Sequence, residues 1–374
     1  MKVLMFSTDP EALVQGSGVE RRMAEYADAL GELHVVVLAR RGRTVSQEKN
    51  LFLYPAAASL GVIRLFYAWR IGRMLCRRRR FDVISVQSPD EIGIVGFLLS
   101  RRFRIPLQIQ IHTDIFSPHY RRASWKEGMR YRMALFLIPR ADCLRVVSER
   151  IRRSLTSKFQ VPSSKLVVLP IFTDVSGYIA AHADSDTEQR FAGYDFKMLA
   201  VGRFVDKEKN FSMLIDVMAE FVKICPKALL VLVGDGPDKS SYQSLVTGYR
   251  LERNVVIEQW RDDLPAFYKS FDLFLFSSNY EGWGRAVIEV MAAGLPVVMS
   301  DVGLAGEVVK HGENGLVSPV GDKNMFLAAV VDLYRNPEKR RTLVLAGKKI
   351  VRELSPKTKE EYLEFYKESF LCCA

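Results

Sequence analysis

The sequence predicts an α/β protein built from two doubly wound domains in tandem. Short runs of Val, Ile, Leu and Phe alternate with amphipathic helical patterns along most of the chain. This alternation is typical of parallel sheets that are covered by helices on both faces. A length of 374 residues is also more than one hydrophobic core usually organises, so two domains are expected.

The first domain is predicted to span residues 1–172. Its strand-like runs are, in order, residues 2–8, 33–39, 81–87, 107–113, 143–148 and 165–170. Amphipathic or apolar helical patterns fill the intervals between these runs. Residues 173–195 lose the alternation, and we therefore expect them to form an interdomain linker.

The second domain is predicted to span residues 196–355. Strands are expected at residues 196–203, 228–235, 254–260, 271–278 and 296–301, and helices at 210–223, 239–250, 285–293, 322–335 and 338–353. The amphipathic end of the chain, 356–374, is predicted to be a helix that packs back on the first domain. Doubly wound sheets bind ligands at the carboxyl ends of their strands, and two such sheets that face each other would form a cleft.

Positive charge is concentrated in the first half of the chain. The net charge is +11, and residues 1–180 contain 29 Lys and Arg against 15 Asp and Glu. Two segments in this half, 64–81 and 120–140, mix arginines with aromatic and aliphatic residues. Such segments suit the surface of an anionic bilayer, and the alternative is a basic face in contact with water.

The cysteines and the apolar runs indicate in which cellular compartment the protein is expected. The five cysteines are scattered and contain no Cys-x-x-Cys pair, so neither a zinc site nor a disulfide framework is predicted, and a reducing compartment is expected. No apolar run approaches 18 residues, and the N-terminus lacks the core of a signal peptide. The sequence therefore predicts a cytoplasmic protein whose contact with a membrane, if any, is peripheral.

Two glycines follow the first predicted strand. Gly16 and Gly18 lie in GSGVERRM, where backbone N–H groups at the start of a helix can approach a phosphate. The dinucleotide-binding fingerprint requires a third glycine at the position of Arg21, which argues against a dinucleotide cofactor. A tight turn without a ligand and a loop that approaches a phosphate or a sugar both stay open.

Charged residues and glycines also follow strands of the second domain. Arg203 and Lys209, in VGRFVDKEKN, combine a guanidinium and an ammonium group that suit a diphosphate; the alternative is two solvated surface cations. Gly234, in VGDGPD, lies in a turn that either brings the backbone close to a ligand or has no ligand.

The stretch SSNYEGWGRAVIEVMAAGLPVV contains two glutamates in different settings. Glu281 follows a predicted strand, and Glu289 lies about one turn inside the next helix. Gly282 and Gly284 keep the intervening loop thin, and the helix N-terminus near Arg285 favours an anion. Two carboxylates on either side of an anion site suit a nucleoside-diphosphate sugar, whose hydroxyls flank its diphosphate.

These motifs resemble those of the retaining nucleotide-sugar glycosyltransferases of family 4, which have the two-domain GT-B fold. The resemblance is carried by VGRFVDKEKN, VGDGP, EGWGRAVIEVMAAGLPVVMSD and GENGLVSPVGD, and less specifically by ADCLRVVSERIRRSL. The resemblance is strongest over residues 196–330. In the first half of the chain it consists mainly of the order of the predicted strands and helices. Trp283 stands where the family usually has Phe, and Gln259 stands where many members have Gly before a loop that contacts the base.

The resemblance implies roles for individual residues. Arg203 and Lys209 would bind the diphosphate, Glu289 the ribose hydroxyls and Glu281 the donor sugar. His112, in QIHTD at a strand end, is similar to the family's sugar-pocket histidine; the alternative is a polar strand-end residue bonded to backbone. The residues implied at the catalytic centre are Glu281, His112, Arg203 and Lys209, and the further donor-binding residues are Gly16, Gly18, Gly234, Trp260, Gly282, Trp283, Gly284, Arg285 and Glu289.

The resemblance also implies a reaction. A hexosyl unit would pass with retention from a UDP- or GDP-linked sugar to a glycan or a lipid-linked acceptor, in the assembly of cell-surface polysaccharide or glycolipid. The departing diphosphate would itself take the acceptor proton in a front-face substitution. No metal or other cofactor is expected, because two cations can neutralise the leaving group, and Asp184 and Asp186 in the predicted linker follow no strand.

Two other function classes fit part of the sequence. A nucleotide-sugar epimerase of the same fold would share the donor but would turn it over without an acceptor. A basic protein that binds nucleic acid would explain the charge, but an aromatic platform for single strands and a helix-turn-helix pattern are missing, so nucleic acid is not expected as a partner.

Overall fold

The computed structural model of the chain describes residues 1–40, 46–261, 263–354 and 356–373. The chain divides into two compact units, Met1–Pro170 together with Thr358–Ala374, and Ile171–Lys357. Each unit contains one largely parallel sheet with helices against it, so the predicted class of two doubly wound α/β domains is confirmed. Ser355, the predicted end of the second domain, lies outside the described residues.

The first 170 residues contain eight of the described strands and six of the described α-helices. The strands are β1 Lys2–Ser7, β2 Glu32–Ala39, β3 Ser46–Glu48, β4 Leu51–Ala57, β5 Val83–Val86, β6 Leu107–Ile111, β7 Cys143–Val146 and β8 Leu166–Val168. The helices are α1 Gly18–Leu30, α2 Gly61–Arg78, α3 Glu91–Phe103, α4 Pro118–Ala123, α5 Trp125–Leu137 and α6 Glu149–Phe159, with 3-10 helices at Pro10–Leu13, Ile138–Arg140 and Ser163–Lys165.

The sheet of the first unit has the order β3-β4-β2-β1-β5-β6-β7-β8. Only β3, which pairs antiparallel with β4, departs from parallel pairing among these strands. Strands β5, β6 and β7 are buried along their whole length because helices cover both faces of the sheet. The chain leaves β1 toward β2 and later returns to β5 on its other side, so the strand order reverses between β1 and β5.

The second unit begins with two short helices, α7 Ser176–Ala180 and α8 Ser185–Arg190. Its strands are β9 Phe196–Val201, β10 Ala228–Val233, β11 Val255–Glu258, β12 Leu273–Phe276, β13 Val297–Ser300 and β14 Leu316–Ser318. Its other helices are α9 Asp206–Lys209, α10 Phe211–Phe221, α11 Lys239–Gly248, α12 Leu264–Tyr268, α13 Arg285–Ala293, α14 Lys323–Arg335 and α15 Pro337–Glu353.

The sheet of the second unit is parallel throughout, in the order β11-β10-β9-β12-β13-β14. Helix α10 covers one face because Phe211, Leu214 and Met218 recur at helical spacing and are buried. The chain runs from β9 outward to β11 and then returns to β12 on the other side of β9. The strand order therefore reverses between β9 and β12, which is where doubly wound sheets bind ligands.

The end of the chain packs on the first unit. Helix α16, Lys359–Glu368, lies against α1, and the rings of Tyr26 and Tyr366 stack with their centroids 3.9 Å apart. A 3-10 helix, Leu371–Cys373, follows it, and Cys373 forms a disulfide with Cys143 of β7. The expectation of no disulfide is therefore wrong. The two cysteines are 230 positions apart in the sequence, and only the return of the chain brings them together.

Two further expectations differ from the structure. Residues 173–195 were expected to be a linker, yet α7 and α8 lie in this segment, and α7 packs on α12 and α13 of the second unit. Strands β3, β4 and β14 were not predicted. Pro55 interrupts the pattern of β4, while β3 and β14 are only three residues long. Within the described ranges, no helix combines the length and the apolar character needed to cross a bilayer.

Candidate functional site

The candidate site of the second unit lies where the strand order reverses. Strand β9 ends before Gly202 and Arg203, and Lys209 closes the short helix α9 that follows. Strand β12, the neighbour of β9, leads to Ser278 and Glu281. Because parallel strands end at the same edge of the sheet, residues separated by more than 70 positions meet there.

Lys209 and Glu281 form an ion pair at this edge. The Lys209 ammonium contacts Glu281 Oε1, lies 3.2 Å from Glu208 Oε1, and is largely buried. Ser278 donates a second hydrogen bond to the same Glu281 oxygen at 2.9 Å. Burial lowers the pKa of Lys209, but the two carboxylates raise it by more, so the pKa lies above its ordinary value and the ammonium stays charged.

Arg203 projects beside this pair. Its Nη2 donates to both carboxylate oxygens of Glu208 at 2.9 Å, yet the arginine side chain is 70% exposed. In the described part of the chain, Glu208 is the one carboxylate paired with this guanidinium, so other donors of the group are free for an anion. Glu208 thus contacts both cations. The sequence gives no sign of this role, because Glu208 lies in the charged run DKEK, which is typical of a solvated surface.

Glu289 lies on the buried face of α13 with only 5% of its surface exposed. Its carboxylate accepts from Arg285 Nε at 3.0 Å and from the Tyr268 hydroxyl at 3.3 Å. Burial, followed by the charge of Glu289, raises the pKa values of Tyr268 and Tyr178. Both phenols therefore stay protonated and can donate to the carboxylate.

The N-terminus of α13, where the sequence predicts an anion site, has no side-chain cap among the described residues. Gly284 is its N-cap residue, with a φ of +109° that favours glycine, and no side chain caps the helix. The first turn contains no acidic residue that would occupy its free N–H groups. In the part of the chain that the structure describes, no side chain bonds to the first N–H groups of this helix, which lie next to Arg285.

The glycines of the VGDGPD turn have a structural reason of their own. A Cβ on Gly234 would lie 1.9 Å from the Gly202 carbonyl oxygen, and a Cβ on Gly236 would lie 2.4 Å from that of Phe204. Both glycines therefore let this turn pack on the backbone around Arg203. The packing of this turn is therefore enough to explain why residue 234 is a glycine, and no ligand needs to be invoked.

The two tryptophans of the predicted donor site differ in burial. Trp260, after β11, is 57% exposed and can stack on a planar group. Trp283 is buried between the buried glycines Gly282 and Gly284, and its carbonyl accepts from the Leu304 N–H at 2.9 Å. Trp283 thus holds the loop in place, whereas the ring of Trp260 is exposed to solvent.

The predicted glycines of the first unit lie at the start of α1. Ser17 is the N-cap residue, and its hydroxyl accepts from the Glu20 N–H at 3.0 Å. The Glu20 carboxylate in turn accepts at 2.6 Å from the N–H of Gly16, one residue before the N-cap, which gives a variant of the capping box. The pattern Ser-x-x-Glu is visible in the sequence and was overlooked. A phosphate at Gly16 and Gly18 would have to displace this carboxylate.

His112 follows β6 in the first unit and is half-buried. Its Nε2 lies 3.2 Å from Oε1 of Gln110, so the partner is a side chain rather than backbone. Burial, then the positive charges of Arg145 and Arg22, lower the pKa of His112 to about 3. The imidazole is neutral at physiological pH.

Two family models match the chain in succession. One, described as "Glycosyl transferase 4-like domain", matches residues 17–171, and the other, "Glycosyl transferases group 1", matches residues 183–350. The chain is a glycosyltransferase of the family 4 type. The resemblance expected from the sequence motifs is thereby confirmed.

Curated relatives match most of the length of this glycosyltransferase. It is 26% identical to "Uncharacterized glycosyltransferase YqgM" of Bacillus subtilis, over 99% of this chain and 98% of the relative. It is 24% identical to the Escherichia coli "UDP-Gal:alpha-D-GlcNAc-diphosphoundecaprenol alpha-1,3-galactosyltransferase", over 69% of this chain and 67% of the relative. Among solved structures, Anabaena Alr3699/HepE in complex with UDP-glucose matches with a TM-score of 0.75 at 19% identity, over 99% of both chains. The fold is GT-B.

Asp184 and Asp186 of this glycosyltransferase lie at the start of α8. Asp184 precedes the helix and accepts from the Thr187 hydroxyl, while Asp186 points into water. Among the described residues, the one group of three potential metal ligands is Cys143, Cys372 and Cys373. Asp184 therefore has a structural role at the start of α8.

Proposed function

We propose that this glycosyltransferase transfers a hexosyl unit, with retention, from a UDP- or GDP-linked sugar to a glycan or lipid-linked acceptor. The observation that carries the proposal is the ion pair of Lys209 and Glu281 between the loops that follow β9 and β12. A carboxylate for sugar hydroxyls and cations for a diphosphate lie together at the reversal point of a doubly wound sheet. The solved relative that holds UDP-glucose supports this class of donor.

The donor would lie along the edge formed by these loops. Arg203 and the start of α13 would bind the diphosphate, since Arg203 keeps donors free beside Glu208 and no side chain of the described residues caps the helix. Glu289 would accept from the ribose hydroxyls after Arg285, which is half exposed, swings away from its carboxylate. Trp260 would offer its exposed ring to the base.

Catalysis would consist mainly of stabilising the leaving group. As the glycosidic bond to the diphosphate breaks, negative charge develops on the phosphate oxygen, and the charged Lys209 and Arg203 would stabilise it. Glu281 would hold the sugar and keep the Lys209 ammonium in place. The leaving oxygen would accept the proton of the incoming acceptor hydroxyl on the same face of the sugar, and retention follows from that geometry.

Helix α2 is the candidate contact with a membrane. Its exposed apolar side chains share a stripe, since Ile63, Phe66, Tyr67 and Met74 recur at helical spacing. Exposed arginines at 70, 77 and 78 extend the same helix. An exposed helical face on which apolar residues and arginines alternate is complementary to an anionic bilayer, where a lipid-linked acceptor would be found.

One arginine of the basic cluster has another partner. The Arg79 guanidinium lies 3.1 Å from Glu32 and stacks over the ring of Phe52 at 5.1 Å. It is held by the unit itself, whereas Arg77, Arg78 and Arg80 have no carboxylate partner among the described residues. These three therefore form the basic cluster that we assign to the membrane.

A transfer assay with defined products tests the proposed function. The purified chain is incubated with UDP- and GDP-hexoses and either a lipid-linked sugar or a free glycan, and products are followed by mass spectrometry and proton NMR. We expect a glycosylated acceptor whose new bond keeps the anomeric configuration of the donor. Conversion of the donor into its epimer without an acceptor would instead identify an epimerase, and inversion at the anomeric carbon would exclude the retaining mechanism.

A further inference from the structure

A chain of buried polar side chains leads from the C-terminal helix to His112. Residues 108 and 110 of β6 and residue 145 of β7 alternate with apolar neighbours and are buried. Gln108 donates to the Ser369 carbonyl at 2.7 Å, and Arg145 donates to the Tyr362 hydroxyl at 2.9 Å. The closing segment of the chain therefore covers this polar row.

Arg145 determines the orientation of the Gln110 amide. Its Nη1 donates to Gln110 Oε1 at 2.9 Å, and a guanidinium has donors only, so the atom that faces it is the oxygen. On the other side, the Gln110 Nε2 donates to the Ser85 hydroxyl at 2.9 Å and approaches Gln108 Oε1 at 3.3 Å. Both ends of the amide are thus assigned by their partners.

The orientation of Gln110 in turn determines the tautomer of His112. The same Oε1 lies 3.2 Å from His112 Nε2, and an amide oxygen can only accept, so Nε2 must carry the proton. The Nδ1 atom then bears the lone pair, and no group of the described residues bonds to it. A neutral imidazole with this tautomer is a hydrogen-bond acceptor at Nδ1 and has no proton to give there.

We propose that Gln110, held by Arg145 and through it by Tyr362 of α16, is a positioning residue that keeps His112 in the Nε2–H tautomer, so that Nδ1 accepts a hydrogen bond from a sugar hydroxyl. The identity of that hydroxyl as part of the donor rests on the proposed function. The tautomer and its cause do not, because every group in the row belongs to the first unit.

The charges around His112 agree with this role. Arg145 and Arg22 are the charged groups that act on the ring, and both oppose an imidazolium. Arg145 is itself buried, and the ring of Tyr366 lies 4.9 Å from its guanidinium. His112 is therefore unsuited to act as a general acid or as a cation for the diphosphate.

NMR of the full chain labelled with ¹⁵N-histidine tests the proposal. Long-range ¹H–¹⁵N spectra distinguish a protonated from an unprotonated ring nitrogen, and loss of one signal set in His112→Asn assigns His112. We expect an unprotonated Nδ1 and a protonated Nε2 in the wild type, unchanged between pH 8 and pH 5. A His112 that is charged at pH 7, or that carries its proton on Nδ1, overturns the proposal.

Two variants of Gln110 separate positioning from packing. Gln110→Leu removes the acceptor and should give mixed tautomers and a fall in kcat/KM of about tenfold, with affinity for UDP unchanged. Gln110→Glu keeps an acceptor and should retain the Nε2–H tautomer while raising the pKa of His112. Ser100→Ala is the control, because it removes a buried hydrogen bond of the first unit, from Ser100 to the Ile105 carbonyl, that involves no member of this polar row. A wild-type tautomer in Gln110→Leu contradicts the proposal.

The remaining outcomes are equally informative. If Gln110→Leu does not fold, Tyr362→Phe replaces it, since this variant removes only the hydroxyl that holds Arg145. The Tyr362→Phe variant should broaden or shift the NMR signals of His112 but not those of His34. If the wild type binds no sugar nucleotide while the tautomer and its loss in Gln110→Leu are observed, the positioning by Gln110 holds and the proposed function fails.

Discussion

Lys209 and Glu281 form an ion pair across the point where the strand order of the second sheet reverses. Each partner depends on the other, because a largely buried ammonium without a carboxylate would lose its charge more readily. Glu208 and Ser278 complete the surroundings of the pair. The cations of the site are therefore held in place before any donor binds, as preorganised stabilisation of a leaving group requires.

Substitution of Arg203 or Lys209 should reduce turnover. If each cation stabilises charge that develops on the diphosphate, Arg203→Ala and Lys209→Ala should lower kcat by about 10²- to 10³-fold, similar to the loss of one oxyanion donor. Lys227→Ala is the matched control, since Lys227 is an exposed lysine just before the amino end of β10, at the opposite edge of the sheet. Steady-state kinetics with a chelator in parallel make the measurement.

The chelator arm tests the metal-free mechanism. Activity should be unchanged by removal of divalent cations, because Arg203 and Lys209 supply the charge. Loss of activity that magnesium or manganese restores would contradict this assignment, as would a Lys209→Ala enzyme with the turnover of the Lys227→Ala control.

Glu289 should control donor affinity rather than turnover. A buried carboxylate that accepts from ribose hydroxyls contributes roughly 1.5–3 kcal/mol, so Glu289→Ala should weaken the binding of the nucleoside diphosphate about ten- to a hundredfold. Calorimetry measures the affinity, and Glu220→Ala, on the surface of α10, is the control. Equal affinities in the two variants would exclude a ribose-binding role for Glu289.

Binding to anionic vesicles should depend on α2. Three arginines near an anionic surface contribute about 1 kcal/mol each, so changing Arg77, Arg78 and Arg80 together to Ser should reduce partitioning roughly a hundredfold. High salt should have a similar effect, since the Debye length falls to about 3 Å at 1 M. Flotation measures the bound fraction.

The matched control for this variant is Arg250→Ser combined with Arg253→Ser and Arg335→Ser, three exposed arginines of the other unit. It should float with the vesicles as the wild type does, and both variants should keep the donor affinity of the wild type. Wild-type protein that stays in the soluble fraction at low salt would show that the basic half is only a solvated face.

The disulfide between Cys143 and Cys373 should stabilise the oxidised protein. A native disulfide typically contributes about 2–4 kcal/mol, so a reductant should lower the free energy of unfolding of the wild type by about that amount. The Cys373→Ser variant should not respond to the reductant, whereas Cys76→Ser should respond as the wild type does. A linked peptide in a non-reducing digest identifies the pair, and its absence in protein from a reducing compartment would restore the expectation of free thiols.

Much of the fold and of the second unit's site is predictable because the signal is local. Strand ends, glycines and charged residues stand next to each other in EGWGRAVIEV, and the helix predicted at 285–293 has those bounds in the structure. Helix periodicity and buried strand runs depend only on neighbouring residues, so helices and strands can be predicted from them without any knowledge of tertiary contacts.

The contacts that the sequence does not show are those between distant segments. The ion pair of Lys209 and Glu281 joins residues 72 positions apart. Tyr178, from a segment predicted to be a linker, lies close to Glu289. The pairing of Arg145 with Tyr362 joins residues 217 positions apart. Such pairs depend on the topology of the fold rather than on the local sequence pattern, so the periodicity of either segment does not predict them.

The central claim is that a nucleotide sugar binds at the edge formed by Arg203, Lys209, Glu281 and Glu289. A thermal-shift panel of nucleoside diphosphates and their hexose conjugates tests it most directly, with wild type and Glu289→Ala measured side by side. One UDP or GDP series should stabilise the wild type by about 2.7 kcal/mol at a hundred times its dissociation constant, and Glu289→Ala should lose about half of that shift or more at the same concentration. No stabilisation by any member of the panel, or equal stabilisation of both proteins, would contradict the claim.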